Sequence, residues 1–295
     1  MAIKTILVAL ALDEESGPIA NRALRLAEER GAQLVALHVL EELPFQRPEL
    51  PSSLDPEALE ASLSEKSAEA LCSLLEPART RVLMKVATGK PYTEILALAA
   101  GHEADLIVIG PGRAETLRER LFGSTADRVV RCAPCPVLVV RNRESDPYRH
   151  IAIGMDFSEA AAAAARTASL LAPSALHEFI HAIEIPLPFK QALLKAGAGR
   201  QQIEQYRRAK ASAARQQMME VFERNGQLPS SRKIRILQGD PARILLEATQ
   251  PGRADLVALG TQGAKPLTRH LLGSVARKVL ATAEGDVLVV SAAVA

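Results

Sequence analysis

The sequence predicts an α/β protein made of two tandem, doubly wound, five-stranded parallel-sheet domains related by a pseudo-twofold axis. Three observations lead to this fold class. Patterns of the first half recur in the second half, several apolar runs are continuous as in strands buried on both faces, and these runs alternate with stretches that have helical apolar spacing. Together they indicate two copies of one α/β unit.

The repeat is visible as matching segments of the two halves. Residues 104–110 (Ala-Asp-Leu-Ile-Val-Ile-Gly) recur as 254–260 (Ala-Asp-Leu-Val-Ala-Leu-Gly), and the motif Gly89-Lys90-Pro91 recurs as Gly239-Asp240-Pro241. From Gly89 onward the offset stays at 150 residues, which is far longer than the period of a solenoid repeat. We therefore expect two domains, residues 1–142 and 149–295, joined by a polar linker with one proline.

The two halves have the same predicted order of elements. In the first half the strands are expected near 3–11, 34–41, 80–88, 105–110 and 136–141, and the helices near 17–30, 55–76, 91–101 and 124–132. In the second half the strands are expected near 150–156, 175–183, 233–238, 254–259 and 286–291, and the helices near 159–172, 199–225, 241–250 and 274–282.

Long inserts follow the second strand of each half. Residues 42–54 are proline-rich and predict a stiff surface loop, and 185–198 predict its counterpart, with Pro186, Pro188 and a Gly-Ala-Gly turn before the next helix. That helix, 200–224, is rich in Arg, Lys and Gln. It is either a basic patch for an acidic partner or a solvated outer helix, and its three glutamates favour the second interpretation.

Composition and charge restrict the class of protein. A hydrophobic fraction of 48% with 24% charged residues is typical of a soluble globular protein. The net charge of +2 gives no reason to expect nucleic acid or an anionic membrane as a partner. No signal-peptide pattern and no run of about eighteen apolar residues occurs, and three cysteines suit a reducing compartment. We expect a cytoplasmic protein.

The most informative motif is a glycine pattern in the second half, Gly260-x2-Gly263-x9-Gly273-Ser274. It follows the predicted strand 254–259 and precedes a segment with helical spacing. Glycines let a ligand approach the backbone, and the free amides at the start of a helix attract phosphate. Ser274 is expected to cap that helix and to offer its hydroxyl to the ligand. The P-loop and dinucleotide fingerprints are both missing from the chain.

This pattern resembles that of the universal stress protein family, whose members often carry Gly-x2-Gly-x9-Gly-Ser/Thr as an ATP site. With the tandem repeat, the resemblance covers essentially the whole chain. It implies an adenine-nucleotide alpha hydrolase-like fold, and as ligand ATP or another adenine nucleotide, with or without Mg²⁺. The nucleotide-binding residues that it implies are Gly154, Asp156, Ala182, Leu259, Gly260, Gly263, Gly273, Ser274 and Val275.

The resemblance also distributes roles among these residues. It assigns Asp156, at the end of the first strand of its half, to the adenosine end of the nucleotide, and the backbone of Ala182 to the base. Gly260 and Gly263 would flank the ribose and phosphates, and residues 273–275 would hold the phosphates through amide and hydroxyl groups. The alternative for Asp156 is that it, or Ser158, only caps the helix that follows.

The first half departs from the pattern and predicts a degenerate site made of Gly110, Arg113, Gly123 and Ser124. Ala11 stands where the second half has Asp156, and Arg113 stands where it has Gly263. A side chain at 113 would crowd a phosphate chain, and arginine disfavours the positive φ that glycine allows. Arg113 could instead bind a phosphate itself. We favour the degenerate site, and hence one working nucleotide site per chain.

Two other motifs receive structural interpretations. The pair Cys132 and Cys135 has the spacing of metal and redox motifs, but it has no second pair to complete a zinc site, and it follows a helix rather than opening one. His177 and His181 face the same way on a predicted strand. We favour core or surface histidines over a chelating pair, because no further ligand joins them.

These observations lead to two hypotheses about function. The first, implied by the resemblance, is a cytoplasmic stress-response protein that binds an adenine nucleotide in its second domain as a sensor or regulator. Whether it is an enzyme stays open, with at most slow ATP hydrolysis expected, because no dedicated general base or arginine finger is found. The second is a scaffold or interaction protein of the same fold without nucleotide. A third, an enzyme that adenylates or cleaves ATP, is disfavoured because residues 155–158 lack the glycines of a pyrophosphatase loop.

The resemblance also bears on assembly. Family members commonly dimerise through their last strands, so residues 137–140 of this tandem chain could pair internally with 287–290 as a pseudo-dimer. Such pairing would cover two apolar sheet edges. Partner proteins and a homodimer of two chains are left open.

Overall fold

The computed structural model describes residues 2–41, 55–76, 78–112, 122–185, 187–195, 197, 199–224, 231–250, 252–263 and 272–291. The chain divides into two compact units, the first ending at Pro147 and the second beginning at Tyr148. Each unit is an α/β domain with a five-stranded parallel sheet, so the predicted fold class is confirmed. None of the described helices has the length and apolar content needed to cross a membrane.

In the first domain the strands and helices alternate. The strands are β1 (Thr5–Ala9), β2 (Gln33–Leu40), β3 (Val82–Thr88), β4 (Leu106–Ile109) and β5 (Val137–Val139), and the helices are α1 (Ser16–Arg30), α2 (Pro56–Leu75), α3 (Pro91–Gly101) and α4 (Ser124–Cys132). The sheet order is β3-β2-β1-β4-β5, with every pair parallel. The direction in which successive strands are added to the sheet therefore reverses between the neighbouring strands β1 and β4, which makes this place the switch point of the sheet.

The second domain repeats this topology. Its strands are β6 (His150–Gly154), β7 (Leu176–Ile183), β8 (Arg232–Gln238), β9 (Leu256–Gly260) and β10 (Asp286–Val290), and its helices are α5 (Glu159–Leu171), α6 (Leu187–Lys195), α7 (Arg200–Arg224), α8 (Pro241–Ala248) and α9 (Ser274–Thr282). The sheet order is β8-β7-β6-β9-β10, again all parallel. The switch point lies between β6 and β9, and ligands of such sheets bind at the carboxyl ends of these strands.

The central strands are buried on both faces, as their continuous apolar sequences predict. Leu106, Ile107 and Val108 of β4 have no exposed surface, and neither do Leu256, Val257 and Ala258 of β9. The outermost strands β3 and β8 are instead largely exposed along their length. The core of each domain is therefore the aliphatic middle of its sheet.

The repeated Gly-x-Pro motif has a backbone reason. Gly89 has φ +145° and Gly239 has φ +140°, a conformation that other residues rarely adopt, and each glycine ends the turn before a helix. Pro91 and Pro241 then begin α3 and α8, where the missing proline amide costs no hydrogen bond. In the second domain Asp240 also caps α8 by accepting from the amide of Arg243 at 2.7 Å.

One predicted loop is wrong in part. Residues 187–195, expected within a stiff loop, form helix α6. Pro188 is the second residue of that helix, a position that tolerates proline, and good helix formers such as Gln191, Ala192 and Leu194 follow it. The Phe189 ring on α6 lies 5.6 Å from the Tyr206 ring on α7. The other predicted loop, 42–54, lies outside the described residues.

The two cysteines of the Cys-x2-Cys pair have different environments. Cys132 is exposed at the end of α4, whereas Cys135 is buried, and both are free thiols, as is the exposed Cys72. Desolvation, reinforced by the negative charge of Asp105, raises the pKa of the Cys135 thiol to about 12. Because only a thiolate reacts, Cys135 should be inert near neutral pH.

We expect a thiol reagent such as 5,5′-dithiobis(2-nitrobenzoate) to titrate two thiols of the native protein at about pH 8 and the third only after unfolding. Mass mapping of the labelled peptides should assign the protected thiol to Cys135. Rapid labelling of Cys135 in the native protein would contradict the burial that the structure shows.

Candidate functional site

A cavity of about 270 Å³ opens at the carboxyl ends of β6 and β9 in the second domain, at the switch point of the sheet. All nine residues named from the sequence line it: Gly154, Asp156, Ala182, Leu259, Gly260, Gly263, Gly273, Ser274 and Val275. Its wall also contains the apolar side chains of Ile180 and Leu245. The structure therefore brings together, around one space, residues that are as far as 121 positions apart in the sequence.

The position of Asp156 is compatible with both of its predicted roles, contact with a ligand and stabilisation of the helix that follows. Its Oδ1 accepts from the amide of Ser158 at 3.0 Å and from the Ser158 hydroxyl at 2.5 Å. Ser158 in turn caps α5 by accepting from the amide of Ala161 at 3.2 Å. The second oxygen, Oδ2, lies 3.0 Å from the point where a Cβ at residue 263 would stand. One carboxylate oxygen thus orders the start of the helix, and the other faces the glycine loop.

A strained residue directly follows this aspartate. Phe157 has φ +66°, which is uncommon outside glycine, and Leu12 at the matching position of the first domain has φ +58°. The Phe157 ring lies 4.7 Å from the ring of His181, and His181 lines the cavity. Both domains therefore have a residue in the left-handed backbone conformation at the same position, where the chain turns between the first strand and the first helix.

One of the two predicted reasons for glycine at position 263, a positive φ, is wrong. Gly263 does not have a positive φ, so its backbone conformation is open to other residues. What restricts the position is the carboxylate of Asp156 at 3.0 Å. The crowding argument for a side chain at this position therefore rests on space alone.

Gly260 has a packing reason of its own. A Cβ at this position would lie 2.7 Å from Cβ of Ala160 and 2.9 Å from its carbonyl carbon, both on α5. The helix approaches β9 this closely because its buried face is built of alanines, including Ala160, Ala161 and Ala164. Gly260 thus admits the helix to the sheet, independently of any ligand.

The start of α9 is open at the other side of the cavity. Gly273 stands at the N-cap position and its amide donates to the carbonyl of Thr261 at 2.8 Å. Among the described residues no side-chain hydrogen bond caps the helix, so the expectation that Ser274 is its cap is wrong; Ser274 is the first residue inside. The amides of the first turn provide partial positive charge beside Ser274 and Val275. Residues 264–271, between the two glycine pairs, lie outside the described residues.

His181 is a cavity residue that the sequence interpretation missed. Its Nδ1 lies 2.7 Å from the carbonyl of Met155, and since a carbonyl only accepts, Nδ1 carries the hydrogen. His38 makes the same contact with the carbonyl of Leu10 at 2.8 Å in the first domain. The recurrence of this histidine in both halves was the available signal. In each domain it ties the end of the second strand to the end of the first.

His177 does not share this position. It has no exposed surface and its Nδ1 lies 2.8 Å from the carbonyl of Ala175, while burial lowers the pKa of its imidazole. It is absent from the described wall of the cavity that His181 lines. Across the described ranges of the chain, no group of three or more His, Cys, Asp or Glu side chains is arranged to hold a metal ion.

The matching cavity of the first domain measures about 440 Å³ and has a different charge. Gly110, Gly123 and Ser124 line it, whereas Arg113 lies outside the described residues. Its wall contains three carboxylates, Asp13, Glu15 and Glu41, which would oppose a bound phosphate.

The loop that follows β4 in the first domain nevertheless has the same backbone hydrogen bond as its counterpart in the second domain. The amide of Gly123 donates to the carbonyl of Pro111 at 2.9 Å, as Gly273 does to Thr261 in the second domain. In this loop the backbone of Gly112 lies close to the backbone of Gly123. The φ of Gly112 is +79°, and a Cβ on it would lie 2.9 Å from Cα of Gly123. Gly112, which the sequence interpretation missed, stands one position before the place of the second glycine of the motif.

Comparisons with known proteins cover both domains. The model of the universal stress protein family matches residues 2–141 and 147–291. A universal stress protein of Methanocaldococcus jannaschii is 33% identical over 130 residues, which is 43% of this chain and 75% of the relative. The crystal structure of a universal stress protein from Archaeoglobus fulgidus matches 99% of this chain and 100% of its own, at 18% identity and a TM-score of 0.69. A universal stress protein solved in complex with cAMP matches 48% of this chain and 98% of its own, at 22% identity and a TM-score of 0.35.

Proposed function

The chain belongs to the universal stress protein family, and from that premise we propose that its second domain binds ATP or a related adenine nucleotide and acts as a sensor or regulator. The observation that carries this proposal is the single cavity at the switch point between β6 and β9. It combines an apolar wall, a carboxylate and the open start of a helix, which are the groups that a base, a ribose and a phosphate chain require.

The chemistry of the wall suggests how each part of the nucleotide would be held. Ile180, Leu245 and Leu259 offer an apolar surface for the base, beside the backbone of Ala182. Asp156 Oδ2 would accept from ribose hydroxyls, because Oδ1 is already used by Ser158. The amides at the start of α9 would take the phosphates. At about 270 Å³ the cavity is small for a whole nucleotide, so the phosphates would lie at its mouth.

The described wall favours binding over rapid turnover. It contains neither lysine nor arginine, and its carboxylate is engaged with Ser158 on one oxygen. Phosphoryl transfer depends on cations and a positioned base around the γ-phosphate. We therefore propose a regulator whose bound nucleotide is at most slowly hydrolysed.

The proposal is tested by denaturing freshly purified protein in acid and identifying any released nucleotide by chromatography and mass. Calorimetric titration of nucleotide-free protein with ATP, ADP, AMP and adenosine, with and without Mg²⁺, then measures the contribution of each phosphate. We expect one site per chain and an affinity that falls from ATP to adenosine, because the α9 amides would be left without an anion. Absence of released nucleotide together with absence of binding would refute the proposal.

The second candidate function is a scaffold without nucleotide, and one observation favours it for the first domain. Asp13, Glu15 and Glu41 make the wall of that cavity unfavourable for phosphate. A stoichiometry of two nucleotides per chain would contradict this difference between the domains. Cytoplasmic location, the companion Mg²⁺, internal pairing of residues 137–140 with 287–290, and a homodimer stay predictions from the sequence.

A further inference from the structure

The two domains differ most in the charge of one equivalent helix. Helix α2, which follows the second strand of the first domain, carries four glutamates against one lysine, and its flanking residues Asp55 and Glu76 add two negative charges. Helix α7, in the same place in the second domain, carries six basic residues against three glutamates. The neighbouring strand β8 adds Arg232, Lys233 and Arg235. Equivalent elements of one repeat therefore have opposite charge.

Three of the negative charges at α2 do not serve the helix itself. Glu65, Glu69 and Glu76 recur at i, i+4 and i+11, so they form one exposed stripe, here named the acidic stripe. Like charges four residues apart destabilise a helix, and Glu76 stands at the carboxyl end, where the helix dipole favours cations. No cation of the described residues lies within ion-pair distance of these three carboxylates.

The charges of α7 show the complementary arrangement. Arg208, Arg215 and Met219 recur at i, i+7 and i+11, and with Arg200 at the start of the helix they are named the basic stripe. Arg200 stands where the helix dipole favours anions, and neither it nor Arg215 has a carboxylate partner in the described part of the chain. Arg208 is paired only within its own helix, with Glu204 at 3.6 Å.

Exposed apolar side chains occur on the elements that carry the stripes or on elements of the same domain near them. Within the described residues, the large apolar side chains that stand out as exposed are Leu83, Met84, Phe189 and Met219, at 41 to 45%. The first two are on the edge strand β3, against which α2 packs, and the other two are on α6 and α7. Of these four, Met219 belongs to the basic stripe, which therefore combines charge with apolar surface, as the surface of an interface does.

We propose that these surfaces are the two halves of one interface, in which the acidic stripe of one copy of the chain docks on the basic stripe of another copy. Charge complementarity selects a second copy over other partners, because the chain itself supplies both signs on matching helices of similar length. Antiparallel helices would bring Glu76 of one copy to Arg200 of the other and would also align the two dipoles favourably. Contact between two helices buries little area, so the association is weak and dependent on salt.

Charge reversal tests the pairing with a built-in control. The first variant, Glu65→Lys, Glu69→Lys and Glu76→Lys, makes both stripes basic, and the second, Arg200→Glu, Arg208→Glu and Arg215→Glu, makes both acidic. Sedimentation velocity over a wide concentration range should show self-association of the unchanged chain at low ionic strength, largely lost at ~0.5 M salt. Each variant alone should associate at least ~tenfold more weakly, and an equal mixture of the two should recover the affinity.

Recovery in the mixture is the decisive result, because each variant then supplies the stripe that the other has lost. Circular dichroism of each variant verifies that the reversed helix is still folded. The proposal is overturned if the unchanged chain shows no salt-dependent association, if each variant associates as the unchanged chain does, or if mixing restores nothing. Association that is insensitive to salt and to all six changes would indicate another interface and would equally overturn this one.

Discussion

Replacing Gly260 with alanine is expected to destabilise the second domain by about 2 to 3 kcal/mol. The new Cβ would meet Cβ of Ala160 at 2.7 Å, its carbonyl carbon at 2.9 Å and the amide nitrogen of Ala161 at 3.0 Å. Two of these three atoms are backbone of α5, so no side-chain rotation relieves the contact and the helix must move away from β9. Urea denaturation, combined with hydrogen exchange of the α5 and β9 amides, measures the loss in that domain.

The first domain provides the matched control. Gly110 is the equivalent of Gly260, but a Cβ there would meet only the Ile19 side chain, at 2.7 Å from its terminal Cδ1 and 3.8 Å from its Cγ1. Because that methyl group can rotate away, Gly110→Ala should cost less than ~1 kcal/mol. Equal destabilisation by the two substitutions would show that the close approach of α5 is not what requires glycine at position 260.

The fold was predictable from the sequence because its signals are repeated and local. Continuous apolar runs such as 104–110 and 254–260 mark strands that are buried on both faces, and Gly-x-Pro marks the turn before a helix twice. Helix α6 was missed because Pro186 and Pro188 dominated the interpretation of that segment. A proline in the first turn of a helix is compatible with it, so the pattern alone could not separate a loop from a helix start.

It was easier to predict which residues line the candidate site than to predict why each of them stands there. All nine named residues line one cavity, since motif and strand order determine which strand ends meet there. The positive φ expected at position 263 was wrong and the reason for Gly260 was incomplete, because both positions depend on contacts with α5 or Asp156, more than 90 positions away. Spacing within a motif carries no information about such distant neighbours.

His181 and Gly112 show a different limit of the prediction from sequence, since the roles of both residues were overlooked. His181 binds the carbonyl of Met155 and lines the cavity, yet beside His177 it had the spacing of a chelating pair. Gly112 was overlooked because the motif of the second half was used as the template for the first, where the glycine stands one position earlier. In both cases a direct comparison of the two halves, residue by residue, contained the missing signal.

Because Gly260 serves packing, Gly263 is the sharper probe of ligand binding, and Gly263→Arg is expected to weaken ATP binding by at least ~100-fold, about 2.7 kcal/mol. The backbone at 263 accepts a side chain without positive φ, but the Cβ would lie 3.0 Å from Asp156 Oδ2. The guanidinium would then pair with that carboxylate and occupy the mouth of the cavity, removing the group proposed to hold the ribose. Calorimetric titration with ATP measures the change.

The matched control adds the same charge where there is space. Gly101→Arg places arginine at the end of α3, at a glycine with no atom near its missing Cβ and no positive φ, so ATP affinity should change less than about twofold. Urea denaturation of both variants separates lost binding from lost folding. If folded Gly263→Arg protein bound ATP within about threefold of the unchanged chain, the nucleotide would not use the space between Asp156 and the glycine loop. In that case the proposed site in the second domain would be refuted, even if the chain binds nucleotide elsewhere.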